Sequence, residues 1–363
     1  MPTSRSSVLI SPSRSPAFRC PPPPPGVPAF HRSLEGYAPT PLVPLPAVVE
    51  RLGVARVYVK DESSRLGLPA FKALGASWAM RRTLDELGWR AGDAPLTFVT
   101  ATDGNHGRAV ARTARLLGHR ARVLVPDGVH PAAIAAIEAE GAAVTHVPGS
   151  YDDAVAEAAR VAAGAGAVLL QDTAWPGYER IPALIVEGYA TLFAELDEQL
   201  AAAGVAAPDL VVVPVGVGSL AQAAVGHYRS RADPARTSLV SAEPTVAACA
   251  LESLRAGEPV TVETSPTIMA GLNAGTLSSL AWPLLHAGLD AAVAVTDDEA
   301  RAAAPALAAA GVAAGPCGWA ALAAARVALA GEDAAATRAA LRIDAGSVVV
   351  VVATEGIEAN PAS

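Results

Sequence analysis

The stretch DLVVVPVGVGSLAQA, residues 209–223, decides the architecture. It opens as an unbroken apolar, β-branched run, turns at Gly216-Val217-Gly218-Ser219, and continues in small and apolar residues suited to a helix. A strand that is apolar on both faces belongs in a parallel sheet covered by helices on each side. Working outward, the same strand-then-helix order recurs. Strands are predicted over 55–60, 96–101, 121–126, 142–147, 167–171, 238–243 and 347–353. Helices are predicted over 70–87, 105–117, 131–140, 151–163, 181–203, 219–231, 246–256, 297–310 and 317–330. This alternation predicts an α/β fold of open, mostly parallel sheets. In such sheets ligands lie beyond the carboxyl ends of the strands, where loops lead into helices.

The 363 residues suffice for two domains and a large core. Hydrophobic residues make up 52% and charged residues 17%, which excludes a wholly disordered chain. With 27 basic against 35 acidic residues, the net charge of −8 argues against a nucleic-acid surface. Cys20, Cys249 and Cys317 lie far apart and form no metal-ligand or disulfide pattern. No apolar run reaches the length of a membrane span, so a cytoplasmic protein is expected. Residues 1–34, with Pro21 to Pro25 unbroken, read as a disordered Pro-rich tail, and His31 within them as a residue that orders only with a partner. A larger domain is expected over 35–93 and 173–363, with a smaller one over 94–172 inserted in it.

Only two of the 27 basic residues are lysines, Lys60 and Lys72. Arginine cannot lose its proton to become a nucleophilic amine, whereas a desolvated lysine can. In KDESSRLGLPAFKALGA, residues 60–76, Lys72 falls in the first turn of a predicted helix among Ala70, Phe71, Ala73 and Leu74. The helix dipole and the apolar neighbours both disfavour its charged form. Lys60, followed by Asp61 and Glu62, is the poorer nucleophile.

Three further strand ends carry polar chemistry. TATDGNHGRAV, residues 100–110, joins a strand to a helix, and Gly104 and Gly107 permit close approach of a carboxylate to free amides. The 216–219 turn has the layout of a cradle for a single phosphate, without the third glycine of a dinucleotide site or a Walker lysine. QDTAWPGYERIP, residues 171–182, brings Asp172, Trp175 and Tyr178 to another strand end, and Thr354 closes the last strand.

Together KDES…AFKALGA, ATDGNHGRAVA, QDTAWPGYERIP, PVGVGSLAQA, PTIMAGL and ATEG resemble the diaminopropionate ammonia-lyases. These are fold type II, tryptophan-synthase-β-like enzymes dependent on pyridoxal 5′-phosphate. The resemblance runs from residue 29 to residue 356. It implies a carbon–nitrogen lyase that eliminates ammonia from D- or L-2,3-diaminopropionate to give pyruvate. It also implies that Lys72 holds the cofactor covalently and that Asn105 contacts its ring oxygen. Gly216, Val217, Gly218 and Ser219 would bind the phosphate, and Thr354 would meet the ring nitrogen. Asp103 and Asp172 would be the catalytic carboxylates beside Lys72, with Thr102, Asp103, Gly104, Asn105, His106 and Tyr178 around the substrate. A homodimer acting on an amino acid, with no nucleic-acid or membrane partner, is the corresponding expectation.

Two positions depart from the family pattern. Gly315-Pro316-Cys317-Gly318 stands where GESG is usual, and Ala353 where Ser is usual. A PLP-dependent serine/threonine dehydratase-like eliminase is one alternative, although such enzymes usually carry Ser at the position of Asp103. A non-catalytic PLP- or ligand-binding paralogue is the other, and retention of Lys72 speaks against it.

Overall fold

A computed structural model describes residues 5–102 and 104–359. Among the described residues, eleven strands form two sheets. They are β1 (Ser7–Ile10), β2 (Leu42–Pro44), β3 (Arg56–Asp61), β4 (Thr97–Ala101), β5 (Arg120–Val125), β6 (Ala143–His146), β7 (Ala167–Leu169), β8 (Leu210–Pro214), β9 (Ser238–Pro244), β10 (Ala291–Val295) and β11 (Val348–Ala353). The larger sheet has seven strands in the order β1-β10-β9-β8-β11-β3-β2. Its five inner strands are parallel, and the two edge strands β1 and β2 run antiparallel to their neighbours. The smaller sheet, β6-β5-β4-β7, is wholly parallel.

The continuous apolar runs are explained by what lies on each side of them. Along β11, Val348, Val350 and Val352 pack into one core cluster, while Val349, Val351 and Ala353 pack into another on the opposite face. Each buried valine contributes about 1.5–3 kcal/mol of hydrophobic stabilisation. β8 behaves alike, with Val211 and Val213 on one side and Leu210 and Val212 on the other.

The disordered tail predicted over 1–34 is corrected for the residues described. Ser7–Ile10 pairs along its whole length with β10, from Ser7 opposite Ala294 to Ile10 opposite Ala291. Arg19 then binds the carbonyls of Arg231 and Ala232. The helix Gly26–Arg32 buries His31 completely, with ring nitrogens on Thr191 Oγ1 at 2.6 Å and the Leu74 carbonyl at 3.0 Å. Composition misleads here because a short apolar SVLI needs only a free sheet edge, and the proline run does not prevent chain from lying against a surface. β10 itself is missed because AAVAV is mostly alanine, which carries little strand signal. The helix expected over 181–203 divides at Tyr189 into Arg180–Gly188 and Ala190–Ala202.

Candidate active site

The helix Lys72–Glu86 crosses Arg180–Gly188 at a contact only glycines allow. A Cβ on Gly188 would sit 2.5 Å from the Leu74 carbonyl oxygen, and one on Gly75 would sit 2.7 Å from Ile185 Cγ2. This close crossing fixes the first turn of the helix, and with it Lys72. The preceding loop is held by a buried ion network. Arg65 bonds Glu62 and Glu195, and Lys60 Nζ lies 2.8 Å from Glu195 Oε2 and 2.7 Å from the Thr40 carbonyl. Lys60 is therefore a core charge. Burial lowers its pKa while Glu62 and Glu195 counter that effect.

Lys72 opens instead onto a cavity of about 1090 Å³. Loops from the carboxyl ends of both sheets line it, including Thr102, Gly104, Asn105, Asp172, Gly216–Ser219 and Thr354. Asp172 follows β7, and its Oδ2 accepts from Lys72 Nζ at 2.7 Å and lies 3.7 Å from His106 Nδ1. The amine thus meets an acidic partner on the cavity wall in addition to the apolar contact with Phe71, whose ring centroid lies 5.4 Å away. Burial alone would raise the Asp172 carboxyl, but His106 and Lys72 outweigh it and hold the group well below the usual carboxylate range. His106 is oriented by the Leu170 carbonyl, which must accept from its Nε2 at 2.8 Å, so Nδ1 is the atom that faces Asp172.

The helix Asn105–Leu116 starts beside them. Thr102 Oγ1 accepts from the amides of Gly104 at 3.0 Å and Gly107 at 3.2 Å, so Gly107 N–H is already engaged. Gly107 is a glycine for packing, since a Cβ there would lie 2.2 Å from Thr102 Cγ2. Gly104 faces open space on the cavity. Asp103 lies outside the described residues. Across the cavity, the 216–219 turn enters the helix Ser219–Arg229. Gly218 adopts φ +95°, and a Cβ there would lie 3.0 Å from Ala281 Cβ and Leu285 Cδ1. The turn is a helix N-terminus whose backbone alone can meet an anion. Tyr178 does not line the cavity. Its hydroxyl accepts from Gln171 N and donates to the Leu169 carbonyl, and its ring stacks on Trp175.

Glu355 and Tyr151 are among the cavity residues that escape sequence reasoning. Glu355, one position beyond Thr354 and 3% exposed, accepts from Asn105 Nδ2 at 2.7 Å. Tyr151 Oη accepts from Gln171 Nε2 at 2.7 Å, and Gln171 Oε1 takes Thr100 Oγ1 and Ala101 N. The position of Glu355 just past a strand end was the available signal. Cys317, from the changed Gly-Pro-Cys-Gly segment, also lines the cavity.

The donor set fits a pyridoxal phosphate: an amine on one wall, an amide side chain beside it, a neutral Thr354 hydroxyl, and a glycine turn at a helix start. Among the described residues no group of His, Cys, Asp and Glu could hold a metal ion, and no helix is long and apolar enough to cross a membrane.

Comparison with known proteins identifies the family. The profile of the pyridoxal-phosphate dependent enzymes matches residues 34–355. The diaminopropionate ammonia-lyase of Salmonella typhimurium is 40% identical over 277 residues, covering 71% of this chain and 69% of its own length. Its counterpart in Escherichia coli is 38% identical over 270 residues, covering 71% and 68%. The crystal structure of the Escherichia coli enzyme in complex with D-serine superposes with a TM-score of 0.89 at 30% identity, over 98% of this chain and 94% of that one. An amine-bearing cavity between parallel sheets, in a sequence this similar, places the chain in the family of pyridoxal-phosphate dependent enzymes, on the branch of the diaminopropionate ammonia-lyases.

Proposed function

We propose that this chain eliminates the β-amino group of 2,3-diaminopropionate, as the D isomer, the L isomer or both, and that water hydrolyses the enamine left behind, giving pyruvate and two molecules of ammonia. The observation that carries the reading is the Lys72–Asp172 pair, 2.7 Å apart on the wall of a cavity that also presents Asn105 and the 216–219 turn. When bound, pyridoxal 5′-phosphate supplies an electron sink for the pair of electrons left at the α-carbon.

The remaining chemistry falls to side chains. Backbone amides of Val217, Gly218 and Ser219 would seat the phosphate, the Asn105 amide the ring oxygen, and the Thr354 hydroxyl the ring nitrogen. Lys72 would take covalent hold of the aldehyde carbon. Released once the substrate amine is bound, Lys72 would be a neutral base for the α-proton. A β-amino group leaves as ammonia only while protonated. Asp172, whose carboxyl His106 helps hold ionised, is suited to keep that ammonium charged beside the amine that takes the α-proton. Lys72 with an aspartate would supply a base on each face, so that each isomer finds one. The unit over 94–172 would close on the rest once substrate is bound, and the chain would work as a cytoplasmic homodimer.

The decisive measurement is pyruvate release from D- and L-diaminopropionate, serine, threonine and cysteine. Turnover of a diaminopropionate isomer is expected, with borohydride fixing cofactor on a peptide that contains Lys72. Activity on serine with none on either isomer would reassign the chain to the dehydratases.

A further inference from the structure

Beneath the 216–219 turn lies a thiol to which the reaction gives no role. Cys249 is wholly buried, and its Sγ lies 3.5 Å from the Gly216 carbonyl oxygen. One residue on, the Val217 carbonyl accepts from the Ser278 amide at 2.9 Å. A trans peptide unit is planar, with C=O and N–H pointing in opposite directions. Drawing the Gly216 carbonyl toward Cys249 therefore aims the Val217 N–H the other way, and drawing the Val217 carbonyl toward Ser278 does the same for Gly218 N–H. Val217, Gly218 and Ser219 all border the cavity.

We propose that Cys249 is a positioning residue for the phosphate cradle, its thiol holding the Gly216 peptide so that the next amide faces the cofactor's phosphate. This rests on the reading of 216–219 as that cradle. The thiol is itself anchored. Cys249 opens the helix Cys249–Ala256, whose Ala250 and Leu251 amides donate to the two carboxyl oxygens of buried Glu243 at 2.7 and 2.9 Å. A carbonyl oxygen accepts only, so the thiol must keep its proton. Burial and the adjacent Glu243 push its pKa well above the usual thiol range, which keeps it a donor.

The test measures equilibrium binding of pyridoxal 5′-phosphate and of pyridoxal to the cofactor-stripped full chain. Both ligands offer Lys72 the same aldehyde, so their affinity ratio isolates the phosphate. In C249A the preference for the phosphorylated form is expected to fall about fivefold to tenfold, as for loss of one hydrogen bond. Pyridoxal binding should be unchanged, and C249S should restore most of the preference. C249V, which fills the space without a donor, must behave like C249A and decides the matter if the alanine variant does not fold. Retention of the wild-type ratio in these variants, or equal weakening of both ligands, overturns the proposal. A wild-type chain with no preference for the phosphorylated ligand overturns the cradle together with it.

Discussion

On the proposed reading, Asp172 would let one carboxylate distinguish substrates. Its charge faces Lys72 and His106 at a wall that a β-substituent would meet. An ammonium leaving group gains from that charge, whereas a hydroxyl leaving group does not. Asp172→Asn should lower kcat/KM for its preferred diaminopropionate isomer by roughly 10²-fold, in the range of a lost acid–base contribution. The loss on serine should be smaller, and parallel steady-state assays of the two substrates check the difference. Lys72 was legible because an arginine-rich chain retained lysine at just two places. Neighbouring residues ranked the two, and the fold adds that Lys60 is enclosed by Glu195, Thr40 and Gln199. Glu355 was illegible for a different reason: its partner Asn105 is 250 residues away in sequence.

Among the elements, the loop that delivers Lys72 depends on charges in the core. Lys60, Arg65, Glu62 and Glu195 are each at most 1% exposed and balance two cations against two anions. Removing one member leaves a buried charge uncompensated, which costs about 3–5 kcal/mol. Glu195→Gln should therefore lower the unfolding free energy in urea by that order without touching the cavity wall. Strands of β-branched runs were readable from sequence because both their faces are buried. β1 and β2 were not, because a three- or four-residue edge strand is defined by the neighbour it pairs with. The Gly75–Gly188 crossing was also hidden, since nothing local distinguishes a packing glycine from a hinge.

For the molecule as a whole, His31 couples folding to acidity. Burial lowers its pKa from 6.5 to about 4. In the unfolded chain the ring takes up a proton below about 6.5, while the folded chain resists protonation until about 4. Its share of stability is thus intact above pH 6.5 and is lost as the pH falls through that interval, reaching about 3 kcal/mol. Denaturant titrations across this range should show the decline. His31→Gln, which can keep both hydrogen bonds without titrating, should flatten it.

The pairing of β1 with β10 has a consequence for biosynthesis. Ser7–Ile10 leaves the ribosome long before Ala291–Val295, the edge it needs, has been made. β1 has that single distant neighbour to pair with, whereas β8, β9 and β11 each pair on two sides. In pulse-labelled refolding, the amides of β1 should gain protection after those of β8, β9 and β11. Until then the nascent sheet carries an open flank on which a chaperone or another unfinished chain could add a strand.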